Sequence, residues 1–380
     1  RTYDRREGVE EDEPLPPGEV SWMRLLSWRE RRRVPPPCSV AAGATHSAFA
    51  DREGRLLTCG TDVHGRGLLG QGEGADLACQ LPLLVPPVAL PRRVVAVSAH
   101  SMHTLALTGD GEVYSFGHGE RGKLGHGDEE QVWLPRQIEA LAGSRVVAIA
   151  AGQQHSLVLA RSGAVLSFGS GFGGKLGHGD QQNQKLPTQI KTLAASPVAA
   201  IAAGAFHSLV STRDGALFSF GDGTMGQLGH GGRSSELTPR RVEAVRGVRV
   251  VTMVGVAAAS RHSLALVDGG SVYSFGAGDG GRLGHGDTRC QWAPKRIQAL
   301  AGESVAAVAA GESHGLCALR DGRVFGWGSG GAVGLGDRLG DYPAMRFGSA
   351  GNYENAPGDG LLSKQAHSPL PLHFPPSLPE

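Results

Sequence analysis

The stretch Val146 to Ile190, VVAIAAGQQHSLVLARSGAVLSFGSGFGGKLGHGDQQNQKLPTQI, decides the fold, because the chain from Cys38 to Phe347 is built from variants of it. Its first signature is a histidine that follows a glycine by three residues in four copies, and it recurs with that histidine at His46, His103, His155, His207, His262 and His314, in steps of 57, 52, 52, 55 and 52 residues. Its second, Leu176-Gly177-His178-Gly179-Asp180, recurs as Leu124 to Asp128, Leu228 to Gly232 and Leu283 to Asp287. Degenerate copies stand at Leu69 to Glu73 and Leu335 to Asp337. A fixed period of about 50 residues marks a repeat architecture, in which no copy buries its apolar face alone.

Each copy has one internal grammar. Val146 to Ala150 reads as a buried strand, His155 to Leu159 as a second and Ala164 to Phe168 as a third. Arg161-Ser162-Gly163 turns the second into the third, and the other copies place Asp110-Gly111, Asp214-Gly215, Asp268-Gly269 and Asp321-Gly322 there, a strong hairpin signal. A glycine-rich loop, a proline and a short last strand follow. Pro135, Pro187, Pro239 and Pro294, with Pro82 and Pro343 in looser register, are expected at the start of an outermost strand, where a missing N–H is tolerated. Four antiparallel strands per copy make one blade, and radial repetition leaves only short, protected edges. The expected fold is therefore all-β, a β-propeller with six repeats over residues 38–347. Residues 1–37 read as an extension with a short amphipathic helix, because Trp22, Leu25, Leu26 and Arg29 have helical spacing and Pro35 to Pro37 would stop it. Residues 348–380 read as a disordered tail.

The Gly-x-x-His-Ser/Thr signature, the Asp-Gly hairpin, the Ser-Phe-Gly step (Gly-Trp327-Gly in the last copy) and the Leu-Gly-His-Gly-Asp loop together resemble the regulator of chromosome condensation repeat over roughly 310 residues. Members of that family are typically seven-bladed, which leaves three arrangements open: six blades, a seventh assembled from the two termini, or an unclosed ring. The resemblance implies three kinds of activity. One is guanine nucleotide exchange on a small GTPase through a wedge projecting from a blade; the near-uniform repeat length leaves little room for such an insertion. Another is ultraviolet-B photoreception through tryptophans placed just after the signature glycine. The residues there are Ala44, Ser101, Gln153, Ala205, Ser260 and Glu312, so that reading is disfavoured. The third is a non-catalytic platform for protein partners, which the sequence favours.

Composition narrows the classes further. The 59 glycines among 380 residues are roughly twice ordinary usage and fall at fixed repeat positions, which argues for many tight turns rather than disorder. A formal net charge of +1 gives no overall field to attract nucleic acid or an acidic membrane. The longest apolar run, Val250 to Ala259, is half the ~20 residues needed to span a bilayer. Five unpatterned cysteines, Cys38, Cys59, Cys79, Cys290 and Cys317, suggest reduced thiols in an intracellular protein, cytoplasmic or nuclear.

Several motifs invite a chemical reading and fail it. Gly169 to Leu176 (GSGFGGKL) satisfies Gly-x-Gly-x-x-Gly and most of a P-loop, yet Leu176 stands where a hydroxyl must reach magnesium, and a loop follows instead of a helix. No cofactor is expected. The signature histidines His46, His103, His155, His207, His262 and His314 are expected to be structural, each tying a strand end to a neighbouring loop; no converging set suggests a metal site, and adjacent His-Ser pairs made several times over do not suggest a catalytic triad. What varies between copies is more informative. The residues before the signature histidine should line one face, and Met102, Gln153, Gln154, Phe206, Arg261 and Glu312 are the candidate partner-binding set. A second set, Glu120, Arg121, Lys123, Phe172, Lys175, Met225, Gln227, Asp279 and Arg282, is expected as a solvated surface on the other rim.

Overall fold

The computed structural model describes residues 39–62, 65–75, 78–245, 247, 249–250, 256–258, 260–329 and 365–371. Six four-stranded antiparallel sheets follow one another, each made of consecutive strands in sequence order. The first holds β1–β4 (Ser39–Ala42, His46–Ala50, Leu56–Thr61, Ala78–Leu84) and the second β5–β8 (Val94–His100, His103–Thr108, Val113–Gly117, Val132–Gln137). The third holds β9–β12 (Val146–Ala151, His155–Ala160, Val165–Gly169, Gln184–Gln189) and the fourth β13–β16 (Val198–Ala203, His207–Thr212, Leu217–Gly221, Glu236–Arg241). The fifth holds β17–β20 (Val256–Ala258, His262–Leu266, Val272–Gly276, Gln291–Arg296) and the sixth β21–β24 (Val305–Ala310, His314–Leu319, Val324–Ser329, Gln365–Pro371). The fold is the expected β-propeller, with six four-stranded blades among the described residues.

The third sheet shows why the sequence folds this way. In β10 every residue is buried, because this second strand is covered on both faces by neighbouring sheets, and HSLVLA supplies small or apolar side chains throughout. The outer β12, QKLPTQ, is half-exposed along most of its length and polar. The signature glycine has a steric cause: a Cβ on Gly152 would stand 2.4 Å from Cε1 of His155, whose imidazole lies flat against it. Gly163 closes the hairpin with φ of 91°, a left-handed conformation that strains any other residue.

Apolar clusters form between successive sheets. Leu159, Val165 and Ile190 of the third blade meet Val198, Val210 and Phe220 of the fourth, and the 3-10 turn Lys191–Leu193 adds Leu193. Each such side chain, fully buried, contributes roughly 1.5–3 kcal/mol before chain entropy is counted. The innermost strands pack in series, β1 on β5, β5 on β9, β9 on β13, β13 on β17 and β17 on β21. Among the described residues no packing of comparable extent and no apolar cluster joins β21 to β1.

Two expectations are corrected. Pro187 lies inside β12, at the register shift between the Ser167↔Thr188 and Gly169↔Gln184 pairs; an outermost strand tolerates proline there because no further strand needs its N–H. The expected disordered tail does not extend over Gln365–Pro371, which form β24 and pair with β23 to complete the sixth sheet. The helix expected within residues 1–37 and the copy at Leu335 to Asp337 lie outside the described residues.

Candidate interaction face

A chain of hydrogen bonds runs beneath one end of the sheets. Ser156 Oγ donates to the Lys123 carbonyl at 2.8 Å, which uses its only proton, so the 2.9 Å contact with His103 must be donated by His103 Nε2–H. His155 reaches Ser208 at 2.9 Å and His207 reaches Ser263 at 2.8 Å in the same way, with the serines donating to the Lys175 and Gln227 carbonyls. His46 meets Thr104 Oγ1 at 2.8 Å. The partner was expected to be a loop; it is instead a hydroxyl on the second strand of the next sheet, so each histidine joins two blades. Burial keeps these imidazoles neutral, with His46 and His207 pushed down to about 4.

The chain breaks at His262. The next blade has Gly315 where the others have Ser or Thr, and a Cβ at Gly315 would stand 2.5 Å from Cε2 of Trp327. Trp327 occupies the place of Phe116, Phe168, Phe220 and Phe275, and its Nε1 donates to the Arg282 carbonyl at 2.9 Å, doing for that carbonyl what serine does elsewhere. His262 is left fully buried with neither ring nitrogen hydrogen-bonded; burial pushes its pKa down to about 3. The second-signature histidines work within a blade: His126, His178, His230 and His285 each reach Ser115, Ser167, Ser219 or Ser274 at 2.9 Å, and those serines donate to a leucine carbonyl of the same loop.

The two surface sets expected on opposite rims share one end. In an antiparallel up-and-down sheet the first and third connections emerge together, so the β9–β10 loop carrying Gln153 and Gln154 stands beside the long β11–β12 loop carrying Phe172 and Lys175. The contacts follow suit. Arg66 Nη1 lies 2.9 Å from Met102 Sδ, Ser170 N donates to the Gln154 carbonyl at 2.8 Å, and Arg282 Nη1 donates to the Glu312 carbonyl at 3.1 Å. The Phe206 ring has two cations near it, with Lys175 Nζ 5.6 Å and Arg261 5.7 Å from its centroid.

Nor is the second set simply solvated. Lys123 and Lys175 are 2% and 1% exposed, and burial pulls both ammonium groups down to about 8. Lys123 Nζ donates to His118 Nδ1 at 3.2 Å, which requires a neutral imidazole; burial and Lys123 itself hold His118 at about 4. Phe172 is 62% exposed at the mouth of this region. Arg66 belonged to neither sequence-derived set, since its degenerate loop hides the alignment. No group of three or more potential metal-ligating side chains occurs among the described residues, and no described helix is long and apolar enough to cross a membrane.

The RCC1-like domain model matches residues 8–345. The E3 ubiquitin-protein ligase HERC2 of Homo sapiens is 36% identical over 317 residues, covering 80% of this chain; the chain spans 6% of the length of that relative. The ultraviolet-B receptor UVR8 of Arabidopsis thaliana is 34% identical over 304 residues, covering 79% of this chain and 67% of UVR8. The structure of Prp20p from Saccharomyces cerevisiae superposes with a TM-score of 0.71 at 23% identity, covering 89% of this chain and 77% of Prp20p, a likeness of fold.

Proposed function

Because the chain belongs to the RCC1-like domain family, we propose that it is a non-catalytic platform that captures a protein partner on the end of the sheets carrying Met102, Gln153, Gln154, Phe206, Arg261 and Glu312. One observation carries the reading: a repeated, buried His–Ser framework underlies a face on which the residue types change from blade to blade. Phe206 is half-buried and Arg261 exposed, next to each other and outside the relay, the kind of aromatic and arginine pair that dominates interface energetics.

Phe206→Ala and Arg261→Ala are expected to weaken partner capture from lysate while leaving the melting temperature in place, and undiminished capture by both variants would sink the placement. Nucleotide exchange on a small GTPase is the rival reading. Prp20p is described as binding Gsp1p and histones. Selective recovery of a small GTPase in EDTA, lost when magnesium and GTP are present, would favour exchange; recovery indifferent to nucleotide favours the platform. Photoreception of the UVR8 kind is not proposed: Trp133 and Trp292 lie in the outer strands β8 and β20, and Trp327 is 0% exposed in the core.

A further inference from the structure

One repeat position within the long loops holds Lys123, Lys175, Gln227 and Arg282 in successive blades. Three of the four are satisfied within the chain. Lys123 donates to His118, Gln227 Nε2 donates to Asp222 at 2.9 Å, and Arg282 donates to the Asp279 and Glu312 carbonyls at 2.7 and 3.1 Å. Lys175, 1% exposed, has no hydrogen-bond acceptor among the described residues; its ammonium lies 5.9 Å from the ring centre of Phe172 and 5.6 Å from that of Phe206, with the charges of Arg121 and Asp222 close enough to act on it. The acid nearest to it does not serve. The Asp222 carboxylate already receives Thr224 N and Oγ1, Gln227 Nε2 and Ser235 Oγ. The Lys175 stem is buried while its ammonium keeps a contact with solvent, so a ligand can reach it, and a cation this deep with no acceptor from the protein is uncommon.

A second cation is held beside it against backbone preference. Arg121 has φ of 64°, where the equivalent positions are Gly173 with φ of 71° and Gly280 with φ of 68°. Its Nη1 lies 3.5 Å from Ser170 Oγ, and its charge adds to burial in lowering the Lys175 pKa, while Asp222 opposes it. Arg261 completes the group, 5.7 Å from the centre of the Phe206 ring. Three cations from three blades thus stand beside two phenyl rings, with Phe172 exposed in a turn flanked by Gly171 and Gly173.

We propose that this pocket of Lys175, Arg121, Arg261, Phe172 and Phe206 takes the carboxylate of an acidic segment of a protein partner, with Lys175 as its buried anchor. The proposal deepens the platform reading and rests on it. A carboxylate supplies the acceptor that Lys175 lacks, Arg261 and Arg121, the latter shared with Glu120 at 3.5 Å, match neighbouring acidic residues, and the two rings shield the pair from water. It differs from a generic anion site in needing the apolar contacts as well.

The test uses the full chain and a fluorescein-labelled Glu-rich decapeptide, with its Gln counterpart and inorganic phosphate as competitors. Lys175→Gln places in the third blade the residue that the fourth carries, so the fold accommodates it. The Glu peptide is expected to bind and the Gln peptide not; Lys175→Gln should weaken binding at least ~tenfold. Arg121→Gly should weaken binding while raising the melting temperature, because it removes a charge and a strained backbone together, a combination that a purely structural arginine would not give. Equal binding by Lys175→Gln, no binding by the wild-type chain, displacement by phosphate as readily as by free Glu peptide, or a Lys175-dependent dimer in sedimentation would each overturn the acidic-segment assignment. If the peptide fails while Phe206→Ala still abolishes capture of the cellular partner, the platform stands and its acidic anchor falls; if Phe206→Ala and Arg261→Ala also leave capture intact, both fall.

Discussion

Two junctions in the propeller do the same job with different groups. Between the fourth and fifth sheets, His207 donates to Ser263, and Ser263 donates to the Gln227 carbonyl. Between the fifth and sixth, serine has become Gly315 and phenylalanine has become Trp327, whose indole reaches the Arg282 carbonyl while His262 is left without a partner. The loop carbonyl is served in both, and the imidazole in only one. At these two junctions the buried carbonyl is what both arrangements serve, and the histidine bond is an addition that one of them does without. That ordering agrees with the cost of an unmade bond: the imidazole can be kept neutral by burial, whereas a peptide carbonyl cannot shed its polarity.

Acid should expose what the junctions share. His46 and His207 are pushed to about 4 and His262 to about 3, against about 6.5 in an unfolded chain. Above pH 6.5 neither state takes the proton, and stability is whole. Below it the unfolded chain binds protons that the folded one refuses, so each of these histidines costs about 1.4 kcal/mol per pH unit until its folded pKa is reached. Three together exhaust a typical stability of ~5–15 kcal/mol within a few units, and urea titrations from pH 7 to 5 should show the steep decline. His262→Leu should flatten that slope by one proton; an unchanged slope would mean that the unpartnered imidazole is not kept neutral as the partnered ones are.

Next in size is the exchange of solutions. Gly315→Ser alone crowds the indole and should destabilise by ~1–3 kcal/mol. Combined with Trp327→Phe it rebuilds the serine junction and hands His262 a partner, so the double variant should recover most of that loss. Additive losses in the double-mutant cycle would show that the two positions are not one device. His155→Ala and His207→Ala should cost ~1–3 kcal/mol, and His262→Ala less by ~0.5–1.5 kcal/mol, because it breaks no hydrogen bond. The smallest effect belongs to His314→Ala. Among the described residues its ring has no hydrogen-bond partner and no following sheet packs on it, so the change should stay within ~0.5 kcal/mol.

Much of this was legible in the chain itself. The period, the three inner strands and the glycine turns come out within a residue or so of β9, β10 and β11, because buried strands bounded by obligatory glycines leave local marks. The substitution of Ser by Gly315 and of Phe by Trp327 in one copy was also in plain view, and it is the sign of a paired change. Placing Lys175 opposite Phe206 required only the parity of an antiparallel meander, yet residue types alone suggested two rims. Two things were beyond local reading. The burial of Lys123 and Lys175 depends on loops from two blades closing over stems that look solvated in sequence. The strand Gln365–Pro371 pairs with β23 across a long intervening stretch, and its composition resembles a tail.

The sequence-order topology of the sheets also bears on how the chain is made. Every ladder in the first five blades joins strands adjacent in sequence, and the fifth is complete once Arg296 has been laid down. A nascent chain can thus finish one blade, offer its flank to the next and add blades in the order of synthesis, with short loops to close each time. The sixth blade is the exception, for its outer strand begins at Gln365. Until synthesis passes Pro371, β23 presents a bare edge, and that interval is when the sixth blade most needs shelter from other strands.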